Sequence, residues 1–167
     1  ASETAPKSHS ARRRWRGSAL LLAAASLALP AVVATPAAAA ACPGSALTIV
    51  AHEDDDTIFV NPDVINDIRA GRCVRTLFVT AGDAGNPYPD SLYRENGPKA
   101  AYAQMAGLAN NWVATDDGVA GRTIQVLNLV GNSRVSIAFL RLPDGFPAGQ
   151  GSATYGGRSL SKLWTGA

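Results

Sequence analysis

Six consecutive residues, Ala51-His52-Glu53-Asp54-Asp55-Asp56, carry the densest chemistry in the chain, and they follow directly on an apolar run, Ala46-Leu47-Thr48-Ile49-Val50. Five ionisable side chains set against a buried strand are costly unless a partner compensates them. A divalent cation does so. An imidazole with a carboxylate three residues on, His52 and Asp55, suits zinc, and the neighbouring carboxylates can orient the ligands or serve as a base. Iron or another divalent ion is compatible with the same donors. A calcium site built from oxygen alone would leave His52 without a role. The competing reading is a solvated acidic turn at the start of the next helix, where carboxylates favour the helix dipole.

The elements around this segment determine where it sits. Ala46–Ala51 reads as a short buried strand, being apolar and partly β-branched. Asn61-Pro62 reads as a helix cap followed by proline at the first helical position, Val64, Ile65 and Ile68 as the inner face of that helix, and Gly71 as its stop. A second buried strand is expected over Val74–Thr80, a loop over Gly82–Pro89, and a longer helix from Ser91 to Ala106 with Ala101, Met105 and Leu108 inward. Further strands are expected at Trp112–Ala114, Thr123–Leu129 and Val135–Leu140. Gly131-Asn132 marks a turn that could make the last two an antiparallel hairpin. Residues from Pro143 to Gly157 read as loop. Strands alternating with helices predict an α/β fold with a largely parallel sheet and flanking helices, the first two strands side by side. Ligands of open α/β sheets bind outside the carboxyl ends of the strands, which is where His52–Asp56 falls.

Residues 1–41 read as a secretory signal peptide: Arg12, Arg13, Arg14 and Arg16 precede an apolar stretch from Leu20 to Val33, and an alanine run offers cleavage sites. The arginines also suit twin-arginine export, although Arg16 stands where that pathway prefers an apolar residue. Lipidation at Cys42 is disfavoured by Ala39, and the apolar stretch is short for a membrane span. Beyond the leader the chain holds ten basic and twelve acidic residues, a net charge of about −2. The pI near 8.7 therefore belongs to the leader, and no basic patch for nucleic acid remains. Both cysteines, Cys42 and Cys73, survive cleavage, and an even count in an exported chain predicts a disulfide rather than two buried thiols. In a parallel sheet the two would lie at the same edge, just before consecutive strands.

The segment 51–56 resembles the Ala-His-Pro-Asp-Asp-Glu signature of the LmbE-like, or PIG-L-type, zinc de-N-acetylases. The resemblance continues in order through Asn61-Pro62-Asp63, Thr80-Ala81-Gly82-Asp83, Tyr93-Arg94-Glu95, Ala100-Ala101-Tyr102 and Phe139-Leu140-Arg141-Leu142-Pro143-Asp144-Gly145. It implies a Rossmann-like sheet and a secreted hydrolase that removes acetyl groups from N-acetylglucosamine-type sugars or glycoconjugates. It further implies His52 and Asp55 as zinc ligands, Asp54 as general base, and Asp56 as support for the ligands. Arg94 is a candidate for binding sugar hydroxyls or a phosphate, or for a surface ion pair. Asp83 and Asp144 are candidates for sugar binding or for support of the ligands, and equally for ordinary turn roles.

Glu53 stands where the family has proline, adding a charge and loosening the loop, and Asp56 shortens the family's glutamate. The family draws a third ligand and a proton-transferring histidine from a later His- and Asp-rich segment, whereas this chain has only His9 and His52. The expectation is therefore the N-terminal portion, residues 42–167, of a de-N-acetylase domain that lacks its C-terminal part. Such a portion would bind zinc weakly, hydrolyse little and leave one face of the sheet uncovered. The alternative is a domain that binds sugar or metal without turnover. A nucleotide-binding reading lacks a Gly-rich loop after the first strand.

Overall fold

A computed structural model describes residues 41–118 and 120–166. The expected leader lies outside them but for Ala41. The five strands are β1 (Ser45–Val50), β2 (Cys73–Thr80), β3 (Trp112–Asp116), β4 (Gln125–Leu129) and β5 (Asn132–Leu142). They form one sheet in the order β1-β2-β5-β4-β3. β1 pairs parallel with β2, and β2 parallel with β5. β4 and β3 are antiparallel to their neighbours. The fold is thus α/β, but the sheet is mixed rather than largely parallel. Its parallel part carries the loop at residues 51–56, and its other half is a meander. The hairpin expected at Gly131 is present between β4 and β5, with Gly131 at φ 90°, a backbone region that costs glycine little.

The helices are α1 (Asp63–Arg69), α2 (Tyr88–Ser91), α3 (Asn96–Met105) and α4 (Leu160–Thr165). Among the described residues none is long and apolar enough to cross a membrane. α1 begins one residue later than the sequence suggests. Pro62 occupies the capping position, while the Asn61 side chain accepts from the Ile65 amide at 3.4 Å. The single long helix expected from Ser91 is in fact α2, a 3-10 turn over Leu92–Glu95 and then α3. Its inner face centres on Tyr102 and Ala103. Ala101 and Met105 pack only partly against the core, and Leu108 lies beyond the helix and exposed. α4, in a stretch for which no helix was expected, is capped by Ser159, whose hydroxyl accepts from the Lys162 amide at 3.2 Å.

One hydrophobic core joins Val64 and Ile68 of α1, Tyr102 and Ala103 of α3, Val74 and Phe78 of β2, and Val135, Ile137 and Phe139 of β5. The rings of Phe78 and Phe139 stack with centroids 5.0 Å apart. β2 alternates strictly, Val74, Thr76, Phe78 and Thr80 facing inward, which is the period-two pattern of a strand with one face on the core. On the opposite face of β1, Leu47 and Ile49 are 65% and 59% exposed. Cys42 and Cys73 form a disulfide with Cα atoms 5.5 Å apart, within the ordinary range for such bonds. It ties the start of β1 to the start of β2, as their position at one sheet edge suggests.

β5 departs from regular pairing as it nears the loop at residues 51–56. Phe78 pairs with Phe139 but Thr80 with Leu142, so β5 holds one extra residue in that interval. Arg141 there has φ 57°. This is a β-bulge with a non-glycine residue in the left-handed region, a device that re-aims side chains beside functional sites.

Candidate metal centre

The loop leaves β1 at Ala51, whose carbonyl accepts from both the amide and the hydroxyl of Thr80 at 2.9 Å. The amides of Thr57 and Ile58 then donate to the Asp54 carbonyl at 3.1 and 3.0 Å, and the Thr57 hydroxyl donates to the same oxygen at 2.8 Å. Asp56–Val60 is a π-helical turn closed by the Asn61 amide on the Asp56 carbonyl at 3.0 Å. Such turns are rare and concentrate at functional positions.

His52 and Asp55 come together as their spacing suggests. Asp55 Oδ2 accepts from the His52 backbone amide at 2.9 Å and lies 3.5 Å from His52 Nδ1. The other ring nitrogen, Nε2, stands 3.4 Å from Asp144 Oδ1. Asp144 follows the bulged end of β5, and its second oxygen accepts from the Ala84 amide at 3.1 Å. Asp83, almost wholly buried at the end of β2, accepts from the Asp144 amide at 3.1 Å and from the Gly85 amide at 2.6 Å. The ends of three parallel strands thus converge on one imidazole. Asp83 acts here through backbone bonds, so its side chain is a strut of the site.

Asp54 is the solvent-facing carboxylate of the loop, 56% exposed, with Oδ1 3.7 Å from Arg94 Nη2. Arg94 Nε donates to Glu53 Oε2 at 3.2 Å. Glu53 is buried, and burial pushes its carboxyl up from the ordinary range while its own backbone and Arg94 pull it down. The sequence suggested that glutamate in place of proline would loosen the loop. The ion pair to Arg94, 41 residues away in the chain, pins it instead. Gly82 makes the pair possible. It sits at φ 56°, and a Cβ there would collide with Arg94 Nε and the Glu53 carboxylate.

Asp56 points into the core. It is fully buried, and neither carboxylate oxygen accepts a well-formed hydrogen bond. Burial raises its carboxyl from the ordinary range, and the nearby Tyr102 hydroxyl, engaged with Thr76 Oγ1 at 2.6 Å, offsets this in part. Burial and the Asp56 charge push the Tyr102 phenol up in turn. Whatever support Asp56 gives the loop therefore comes from beneath it.

A second buried pair braces the rim. Glu95 accepts from Arg141 Nε at 2.6 Å and from Nη2 at 2.9 Å, and the guanidinium lies over the Tyr88 and Phe139 rings at 5.8 and 6.0 Å. Sequence reasoning placed both residues within similar motifs but gave them no role. No local pattern links the two, which stand 46 residues apart in the chain. From the C-terminal side, Thr154 and Tyr155 donate through their hydroxyls to the carbonyls of Gly85 and Asn86, both at 2.7 Å, which laces the tail onto the loop after β2.

Among the described residues no group of three or more His, Cys, Asp or Glu is arranged to hold a metal ion; His52 and Asp55 are a pair of donors. Comparison with protein-family models, with curated proteins and with solved structures returned no match.

Proposed function

We propose that this chain carries, on a Rossmann-like sheet of LmbE type, the metal half-site of a secreted zinc-dependent de-N-acetylase acting on N-acetylglucosamine-type sugars or glycoconjugates. The observation that carries the reading is the 3.5 Å separation of His52 Nδ1 and Asp55 Oδ2 at the carboxyl end of β1. Two donors of a tetrahedral zinc ion, each bonded at about 2.0–2.1 Å, stand about 3.3 Å apart, so the pair fits the ion with little movement. The Cys42–Cys73 disulfide supports an oxidising compartment.

A zinc ion held by His52 and Asp55 would supply a water acidified to a pKa of about 7 and a Lewis acid for the amide carbonyl. The rest falls to the chain's own groups. Asp54, exposed beside the pair, takes the proton of the attacking water and returns it to the departing amine. The amide C–N bond breaks, and acetate and a free amino sugar leave. Arg94, fixed on one side by Glu53, presents its guanidinium at the same rim, where it can orient sugar hydroxyls or a phosphate. With two protein donors among the described residues, weak zinc affinity is expected, and the alternative is a sugar- or metal-binding domain without turnover.

Zinc titration of the purified chain tests the reading. His52→Ala is expected to weaken zinc binding by about tenfold or more. Asp54→Asn is expected to leave zinc binding unchanged and to lower any release of acetate from N-acetylglucosamine derivatives by about 100-fold. Equal zinc affinity in wild type and His52→Ala overturns the site. Zinc held at His52 without any release of acetate gives the binding domain instead.

A further inference from the structure

Asp144 does not behave as an ordinary turn residue. Its Oδ2 is committed to the Ala84 amide and its own amide to Asp83, so backbone bonds on both sides fix the orientation of the carboxylate. Its Oδ1 is buried, accepts no well-formed hydrogen bond, and faces His52 Nε2 across 3.4 Å. A buried acceptor without a donor is rare and costly, and an N–H on Nε2 is the donor within reach. On the other side of the ring the balance is reversed. Asp55 Oδ2, 3.5 Å from Nδ1, already accepts the His52 amide.

We propose that Asp144 is the positioning residue of His52: it accepts the Nε2 proton, holds the neutral ring in the Nε2–H tautomer, and leaves the Nδ1 lone pair directed to the side of Asp55. In this arrangement Asp83 is the strut that aims Asp144, and the bulge at Arg141 brings the strand end to the imidazole. The purpose assigned to the free lone pair, metal ligation, rests on the function proposed above. The tautomer does not, because it is a property of the metal-free chain. Histidine ligands commonly donate their second ring nitrogen to a carboxylate in this way.

The test is nitrogen NMR on the 15N-labelled, metal-free chain, recorded well above the ordinary imidazole pKa of about 6.5. The chain has two histidines, His9 and His52, and a His9→Gln chain assigns the signals. In wild type Nε2 is expected to be the protonated nitrogen of His52 and Nδ1 the bare one. In Asp144→Asn the amide oxygen keeps the Ala84 bond and its NH2 faces Nε2. The tautomer is then expected to invert, and zinc affinity to fall by about 10- to 100-fold with both ligands in place.

A wild-type His52 protonated on Nδ1, or a folded Asp144→Asn chain with an unchanged tautomer, overturns the proposal. Should the variant fail to fold, the wild-type spectrum alone decides. An Nε2–H ring in a chain that binds no zinc at His52 would keep the positioning role and remove the metal reading. Zinc bound at His52 with an Nδ1–H ring in the metal-free chain would do the reverse.

Discussion

Arg141→Met is expected to destabilise the chain by about 3 kcal/mol, the low end of the range of about 3–5 kcal/mol for breaking a buried ion pair. The Glu95 side chain is only 7% exposed, and Arg141 donates to both of its carboxylate oxygens. With the arginine gone, the carboxylate is left desolvated and unpaired. Arg141 itself is 28% exposed, which is the reason for choosing the low end. Methionine keeps a Cβ at the same left-handed backbone position, so the strain at φ 57° is common to both chains and cancels.

The control is the pair Glu95→Leu with Arg141→Met, which removes both charges and is expected to recover most of the loss. A cost below about 1 kcal/mol for the single variant in urea unfolding, the value of an exposed pair, would show that the rim is not braced in this way.

Replacing both cysteines by serine is expected to cost about 3–4 kcal/mol. The bond joins Cys42 and Cys73 across a sequence separation of 31, and the chain-entropy model gives that magnitude for a loop of about 30. The effect should be uneven. β1 is an edge strand whose sheet partner is β2, and it delivers His52 to the site. Without the covalent tie its first residues are held at that end by the Cys73 amide on the Gly44 carbonyl and by ladder bonds. Hydrogen exchange is therefore expected to rise in β1 before β5, whose residues Val135–Phe139 are all buried. Equal acceleration of the two strands, or no change in stability, would contradict this.

The parts legible in the sequence were those set by local pattern. The apolar run before His52, the alternation through β2 and the glycine at the β4–β5 turn each specify their own backbone. The spacing of His52 and Asp55 likewise placed two donors on one turn. The neighbours β1–β2 and β4–β5 were legible, but the place of β5 between β2 and β4 was not, because it depends on which strand is buried on both faces. Val135-Ser136-Ile137-Ala138-Phe139 is buried without a break, the mark of a central strand. That run draws β5 in beside β2 and sends the earlier β3 to the far edge. The long-range partners were equally hidden. Glu53 finds Arg94, Glu95 finds Arg141, and His52 meets Asp144 across separations that no periodicity encodes. The supporting role of Asp56 was implied by its standing where the resembled family has glutamate; that the π-helical turn carries its side chain into the core was not legible.

The extra residue in β5 separates two grammars within one strand. Up to Phe139 the alternation of inward and outward side chains serves packing, and Val135, Ile137 and Phe139 answer to the core. Beyond the bulge the count is shifted by one: Arg141 turns to Glu95, and Asp144, two residues past the end of the strand, faces His52. Because a slip of one residue exchanges the two faces of a strand, the extra residue decides which side the chain leading to Asp144 presents. In the language of timing, the bulge is a phase shift between the stretch of β5 that packs the core and the stretch that leads to the site.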